Sequence, residues 1–138
     1  MRAIKIIILF LFLPYFLPAQ DLTSEQQVFE GIAKAVKEGQ STDLSAYFAS
    51  SIECDILGKE DVYSKPQAIQ VMKDFFSNYK AKNFSILHKS GKGQAKFIIG
   101  NYATVAGENY RITFFVKQDG TSYFVQQIRI EDGDSEQG

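Results

Sequence analysis

Four β-type segments follow one another in the second half of the chain, with only short turns between them. They span about residues 83–89, 95–105, 109–117 and 122–130, and the turns SGKG, AGEN and QDGT all contain glycine. Turns this short join antiparallel neighbours, since parallel strands need a crossover of a dozen or more residues. The pattern therefore predicts an antiparallel sheet.

The last of these turns leaves one question open. Asp119–Gly120 is the strongest hairpin signal in the chain, but it fits either a two-residue turn or a type I turn followed by a glycine bulge. A register change of one residue moves every side chain to the other face of the sheet. Gly100, within an apolar segment, further suggests a bulge or bend.

Three helical segments are predicted before this sheet, at about residues 24–38, 42–49 and 64–79. The third begins with a capping box of Ser64 and Gln67, and Pro66 occupies its first turn. Between the second and third lie two strand-like segments, SIECDIL and VYS. The third helix has a single apolar stripe, which indicates that it packs on the sheet; the stripe consists of Ala68, Ile69, Met72, Phe75, Phe76 and Tyr79.

The N-terminus has the layout of a secretory signal peptide. Arg2 and Lys5 precede an unbroken apolar run over residues 6–13, and PYFLPAQ follows. Pro14 and Pro18 interrupt the run before it reaches the ~20 residues that span a bilayer. Cleavage after Ala19 fits best, and no cysteine lies there to carry a lipid.

We therefore expect an exported protein, periplasmic or secreted, that is not a lipoprotein and has no stable membrane anchor after cleavage. The predicted division is a signal peptide over residues 1–19, one domain over 22–131, and a disordered acidic tail over 132–138.

The charge balance excludes one class of partner. Cleavage removes two of the 15 basic residues and leaves 13 against 16 acidic ones, a formal charge of −3. That balance, together with export, argues against nucleic-acid binding. Residues 21–61 hold nine acids and three lysines, whereas residues 75–107 hold five lysines and no acid. The lysines form either a basic patch or a set of solvated hairpin ends.

One cysteine and one histidine limit the chemistry further. Cys54 has no partner for an internal disulfide, and a buried apolar role suits it better than a nucleophilic one. A zinc site built from Cys or His ligands is not available. We expect no metal and no cofactor.

The order of elements resembles the nuclear transport factor 2-like superfamily. Three stretches carry the resemblance, which covers about residues 22–131: SEQQVFEGIAKAVKEG, YSKPQAIQVMKDFF and QDGTSYFVQQIRI. It implies an α+β cone, in which a strongly curved antiparallel sheet of four to six strands wraps around about three helices. Within that superfamily the chain looks like the exported branch known as domain of unknown function 4783. The fold hosts enzymes, binding modules and dimerisation modules, so it does not assign a function.

The sequence offers little for acid–base catalysis. The dehydratase-like arrangement of this fold needs a pair of histidines, and the chain has only His88. The isomerase-like arrangement needs a buried carboxylate beside a tyrosine. Asp55 alternates with Cys54 and Ile56 and is expected to face away from the core. Asp55 and His88 are accordingly the weak catalytic candidates.

Three hypotheses for the function follow. The first is a non-catalytic exported module that binds a small apolar molecule or an envelope protein, with a homodimer through its sheet as a further option. The second is an isomerase- or cyclase-type enzyme that pairs a carboxylate or His88 with a tyrosine inside the cone. The third is an envelope accessory protein without a ligand. The candidate ligand-binding residues are Tyr47, Tyr63, Met72, Phe76, Tyr79, Tyr102 and Arg111.

Overall fold

The computed structural model describes residues 24–133. The predicted signal peptide and residues 134–138 of the predicted tail lie outside this range. The helices are α1 (Ser24–Lys37), α2 (Ser41–Ser45) and α3 (Lys65–Asn78). The strands are β1 (Phe48–Ile56), β2 (Lys59–Ser64), β3 (Ala81–Lys92), β4 (Ala95–Thr104), β5 (Asn109–Asp119) and β6 (Ser122–Asp132).

The strands form one curved, unclosed six-stranded sheet in the order β2-β1-β6-β5-β4-β3. The meander from β3 to β6 is antiparallel throughout, as its short turns predict. The β1–β2 hairpin completes the sheet by pairing β1 with β6 in parallel. The helices cover one face, and the predicted α+β cone is confirmed.

A tight turn sets the register of the last hairpin. The β5–β6 turn has two residues, Gly120 and Thr121, since Asp119 pairs with Ser122. Gly120 has φ 61°, a conformation that costs glycine little and suits a type II′ hairpin turn. Beyond it the register shifts, because Gln126 is an extra residue between the pairs Val116–Val125 and Phe115–Gln127.

The start of α3 follows its sequence signal. The backbone N–H of Ser64 donates to Gln67 Oε1 at 3.0 Å, and the N–H of Gln67 donates to Ser64 Oγ at 3.4 Å. This confirms the predicted capping box. The helix buries Ala68, Met72, Phe75 and Phe76 against the sheet, as its apolar stripe predicts.

Gly100 in β4 lies directly against the ring of Phe84 in the neighbouring strand. A Cβ atom on Gly100 would lie 2.3 Å from Cζ of Phe84 in β3. The irregularity that glycine suggested lies in the neighbouring strand, where Leu87 is an extra residue between the pairs of Ile86 and His88. The absence of a side chain at Gly100 therefore makes room for a buried ring.

Candidate functional site

The interior of the cone is occupied by aromatic side chains. Phe75 lies at the centre of what we call the aromatic cluster, and its ring centroid is 5.0–6.0 Å from those of its four neighbours, Phe76, Tyr79, Tyr102 and Tyr110. Met72, one turn before Phe76, is fully buried as well. These side chains occupy the interior in which the second hypothesis places a catalytic pair.

Tyr102 uses its hydroxyl group within the fold. The hydroxyl donates to the backbone oxygen of Tyr79 at 2.5 Å, and the side chain is fully buried. Burial raises the pKa of Tyr102 to about 12. The group is therefore a protonated donor that ties β4 to the end of α3.

Tyr110 and Glu108 form the carboxylate–tyrosine pair of this structure. The hydroxyl of Tyr110 donates to the Glu108 carboxylate in a short hydrogen bond. Burial, this hydrogen bond and the nearby negative charge of Glu108 raise the pKa of Tyr110. Glu108 itself is exposed in the β4–β5 turn, where its N–H donates to Thr104 Oγ1 at 2.9 Å.

This pair was not among the predicted site residues, because Glu108 falls in a turn. Its sequence signal is the two-residue spacing between Glu108 in the turn and Tyr110 at the start of β5, which brings the two side chains within reach of each other. The pair holds the turn against the aromatic cluster. Its chemistry is that of a hydrogen-bond donor kept protonated, since the tyrosine is a weaker acid than usual.

The predicted ligand-binding residues are dispersed. Ring contacts with Phe75 join Phe76, Tyr79 and Tyr102 in the aromatic cluster. Tyr47 and Tyr63 are half-buried at the edge of the core. The ring of Tyr47 lies over α1, where a Cβ on Gly31 would lie 1.8 Å from its hydroxyl oxygen.

Arg111 is separated from these residues by the sheet itself. Its neighbours Tyr110 and Ile112 are buried toward the helices, so Arg111 points to the other side. The even-numbered residues from Tyr110 to Val116 are the buried ones in β5. They lie on the same face as Tyr102, because Tyr110 pairs with Tyr102 in β4.

The two catalytic candidates also lie outside the aromatic cluster. Asp55 Oδ2 is 3.6 Å from Nε of Arg129 in the neighbouring strand β6. His88 is exposed on β3, opposite Ile99. Neither group has a hydrogen bond to a tyrosine among residues 24–133.

Cys54 is fully buried in β1 on the core face. Burial, and next the charge of Glu53, raise the pKa of its thiol to about 12. The nucleophilic form of a cysteine is the thiolate, so the protonated thiol of Cys54 is a poor nucleophile in the folded protein.

We expect thiol modification of Cys54 to require unfolding. Under native conditions at mildly alkaline pH, an aromatic disulfide reagent should react at least about tenfold more slowly than with the unfolded chain, because the thiol is both protonated and covered. Stopped-flow absorbance with and without denaturant measures the two rates. Equal rates would contradict the buried position of Cys54.

The sheet surface turned away from the helices, which we call the outer face, is mixed in character. Phe97 and Phe115 form a tilted ring pair on it with centroids 5.0 Å apart, and Phe97 is 38% exposed. Its other members on the central strands are Ile99, Arg111, Thr113, Gln127, Arg129 and Glu131.

The β1–β2 side of the outer face is acidic. Glu53, Asp55 and Glu60 lie there, and the register places Asp55 directly opposite Glu60. A side-chain hydrogen bond with Glu53, and repulsion by its charge, raise the pKa of Glu60. The carboxylates on the acidic side are therefore close enough to repel one another.

A groove, which we call the end groove, opens at one end of the sheet. It has a volume of about 670 Å³. The end groove is lined by Phe48, Ala49, Ser50, Gln94, Lys117, Gln118, Asp119, Phe124 and Gln126. None of these residues was predicted as a site residue, since they come from three strands, β1, β5 and β6, and from the β3–β4 turn, and β1 lies far from the others in the sequence.

Two further classes of feature do not occur within residues 24–133. No helix in this range has the length and apolar character needed to cross a membrane. No group of three His, Cys, Asp or Glu side chains in the same range is placed to hold a metal ion.

Comparisons with known proteins place the chain in a family. The family model of domain of unknown function 4783 matches residues 29–131. A DUF4783 family protein from Bacteroides uniformis is 32% identical, with a TM-score of 0.72 over 76% of this chain and 96% of that one. The corresponding protein from Bacteroides ovatus is 31% identical, with a TM-score of 0.71 over 74% and 92%.

A more distant structure shares the fold. It is a nuclear transport factor 2-like protein of unknown function from Shewanella baltica, 14% identical, with a TM-score of 0.63 over 81% of this chain and 93% of that one. The comparison with curated proteins gives no match.

Proposed function

Because the chain belongs to the family of domain of unknown function 4783 and has a nuclear transport factor 2-like fold, we propose that it is an exported, non-catalytic interaction module. Its working surface is the outer face of the sheet, and its partner there is a second copy of the chain. The N-terminal sequence supports export, since it has the layout of a cleavable secretory signal.

The observation that carries the proposal is the contrast between the two faces of the sheet. The inner face is covered by α3, whose Met72, Phe75 and Phe76 are buried among the aromatic side chains. The outer face exposes the Phe97–Phe115 ring pair between charged side chains. A partner can therefore gain apolar burial on the outer face without any opening of the core.

The charges and the area of the outer face both suit contact with a second copy of the chain. A twofold contact uses the same surface on both chains, so a face that carries cations and acids can pair each sign with the other. A cation of the second copy beside Glu53 and Glu60 would relieve the repulsion between these two carboxylates. Six strands of 6–12 residues, at a spacing of about 4.8 Å and a rise of about 3.3 Å per residue, give a face of roughly 900 Å², comparable with the area per partner in a standard interface.

The enzymatic alternative has less support. An isomerase-type site needs a base within reach of a substrate inside the cone. Asp55 is engaged with Arg129 on the outer face, and the Tyr110 hydroxyl donates to Glu108 at an exposed turn. The ligand-free accessory role remains as the outcome if the chain neither self-associates nor binds a ligand.

Phe97→Glu should weaken self-association by at least about tenfold, because it places a charge at the centre of the apolar contact. Sedimentation velocity over a concentration series measures the monomer–dimer equilibrium. The matched control is Val105→Glu, the same kind of change at a residue that is 64% exposed in the β4–β5 turn.

The control should dimerise like the unchanged protein. A protein that stays monomeric at about 100 μM would refute the outer face as a self-association surface, and equal effects of both substitutions would show that the contact lies elsewhere.

A further inference from the structure

The end groove lies where the regular pairing of β1 with β6 is interrupted. Their parallel pairing links Phe48 with Val125 and then Glu53 with Gln127. Four residues of β1, 49–52, thus lie opposite a single residue of β6, Gln126. The same Gln126 is the bulged residue against β5, so it is displaced from both neighbouring ladders. Bulges of this kind re-aim side chains and are frequent beside binding sites.

Three primary amides converge on the end groove. Gln94, Gln118 and Gln126 come from the β3–β4 turn, the end of β5 and the bulge of β6. Gln118 is oriented by its own turn, since its Nε2 donates to the backbone oxygen of Gly120 at 3.0 Å. The side-chain amides of Gln94 and Gln126 have no hydrogen bond to any residue in the described range 24–133.

The remaining lining supplies one ring and a balanced charge. The Phe124 side chain is half-buried, so part of its ring is open to the end groove. Lys117 and Asp119 contribute one charge of each sign. An anion would meet Asp119, a cation would meet Lys117, and a purely apolar ligand would leave the amides without partners.

The geometry points to the end groove as a binding site for a neutral carbohydrate, a short oligosaccharide. A sugar hydroxyl both donates and accepts hydrogen bonds, as a primary amide does, so each glutamine can satisfy two bonds of one sugar. The electron-rich face of the Phe124 ring attracts the C–H face of a pyranose. The volume of about 670 Å³ lies within the usual range of small-ligand sites. The inference is independent of the proposed self-association.

The test is an NMR titration of ¹⁵N-labelled protein with cellohexaose, maltohexaose, xylohexaose and chitohexaose. At least one of them should shift the side-chain NH₂ signals of Gln94 and Gln126. Gln126→Ala and Phe124→Ala should each reduce its affinity by at least about tenfold. The control Gln70→Ala removes the same group from the exposed side of α3 and should leave the affinity unchanged.

Salt and fold controls make the outcome decisive. Binding of a neutral sugar should be equal at low and high salt, because no ion pair forms. Backbone spectra identify any variant that fails to fold. If Phe124→Ala is unfolded, Gln126→Ala still tests the site. The proposal is overturned if no oligosaccharide shifts these signals at about 10 mM, if the shifts map elsewhere, or if salt abolishes them.

Discussion

Phe75→Ala should lower the free energy of unfolding by about 3–5 kcal/mol, the usual cost of truncating a buried phenylalanine. The ring is 3% exposed and lies within 6.0 Å of four other rings, so its removal leaves a cavity that its neighbours cannot close without leaving their own contacts. Urea unfolding followed by circular dichroism measures the change from the shift in midpoint.

The matched control is Phe115→Ala on the outer face. That ring is half-buried and contacts Phe97, so its loss should cost less than about 1.5 kcal/mol in the monomer. If the two substitutions cost the same, Phe75 is not part of a filled interior, and an open cone becomes the better description. The comparison thus separates a packed core from a ligand cavity.

The predictable part of the fold is local. The capping box at Ser64, the stripe on α3 and the alternation around Cys54 each depend on residues a few positions apart. Such patterns report secondary structure and the buried side of each element directly. They also sufficed for the family resemblance, because that resemblance depends on the order of elements.

The less predictable part depends on pairing between distant segments. The parallel contact of β1 with β6 joins residues more than 70 positions apart, such as Cys54 and Ile128. The bulge at Gln126 arises where β6 meets β5 and β1 in different registers. No short-range pattern encodes either feature, and together they create the end groove.

Register also decides which candidate site residues can meet. Arg111 and Tyr110 are adjacent in the sequence, yet one lies on the outer face and the other in the aromatic cluster. The sequence alone left this parity open, because the turn at Gly120 admitted two registers. Tyrosines that looked suitable for binding, such as Tyr102, instead donate hydrogen bonds within the fold.

The acidic and basic segments of the sequence lie at opposite edges of the sheet. The acid-rich segment contributes β1 and β2 at one edge, and the lysine-rich segment contributes β3 at the other. Opposite edges of one sheet therefore differ in sign. That arrangement favours a specific orientation when two copies meet, since like edges repel and unlike edges attract.

Gly100→Ala should lower the free energy of unfolding by about 2–3 kcal/mol, although it adds only one methyl group. The new Cβ would lie 2.3 and 2.5 Å from two ring atoms of Phe84 and 2.9 Å from the backbone oxygen of Ser85. Phe84 is 6% exposed and packs edge-on against Phe114, so the ring cannot swing away without breaking that contact. Thermal and urea unfolding measure the loss.

A double-substitution cycle identifies the cause of that loss. Phe84→Leu removes the ring atoms nearest to Gly100 but keeps an apolar side chain in place. In that background Gly100→Ala should cost less than half as much, which gives a coupling of about 1 kcal/mol or more between the two sites. An unchanged cost would assign the strain to the Ser85 carbonyl, a part of the backbone that no side-chain change relieves. A reduced cost means that the strain comes from the Phe84 ring, which fills the space that a side chain at Gly100 would need.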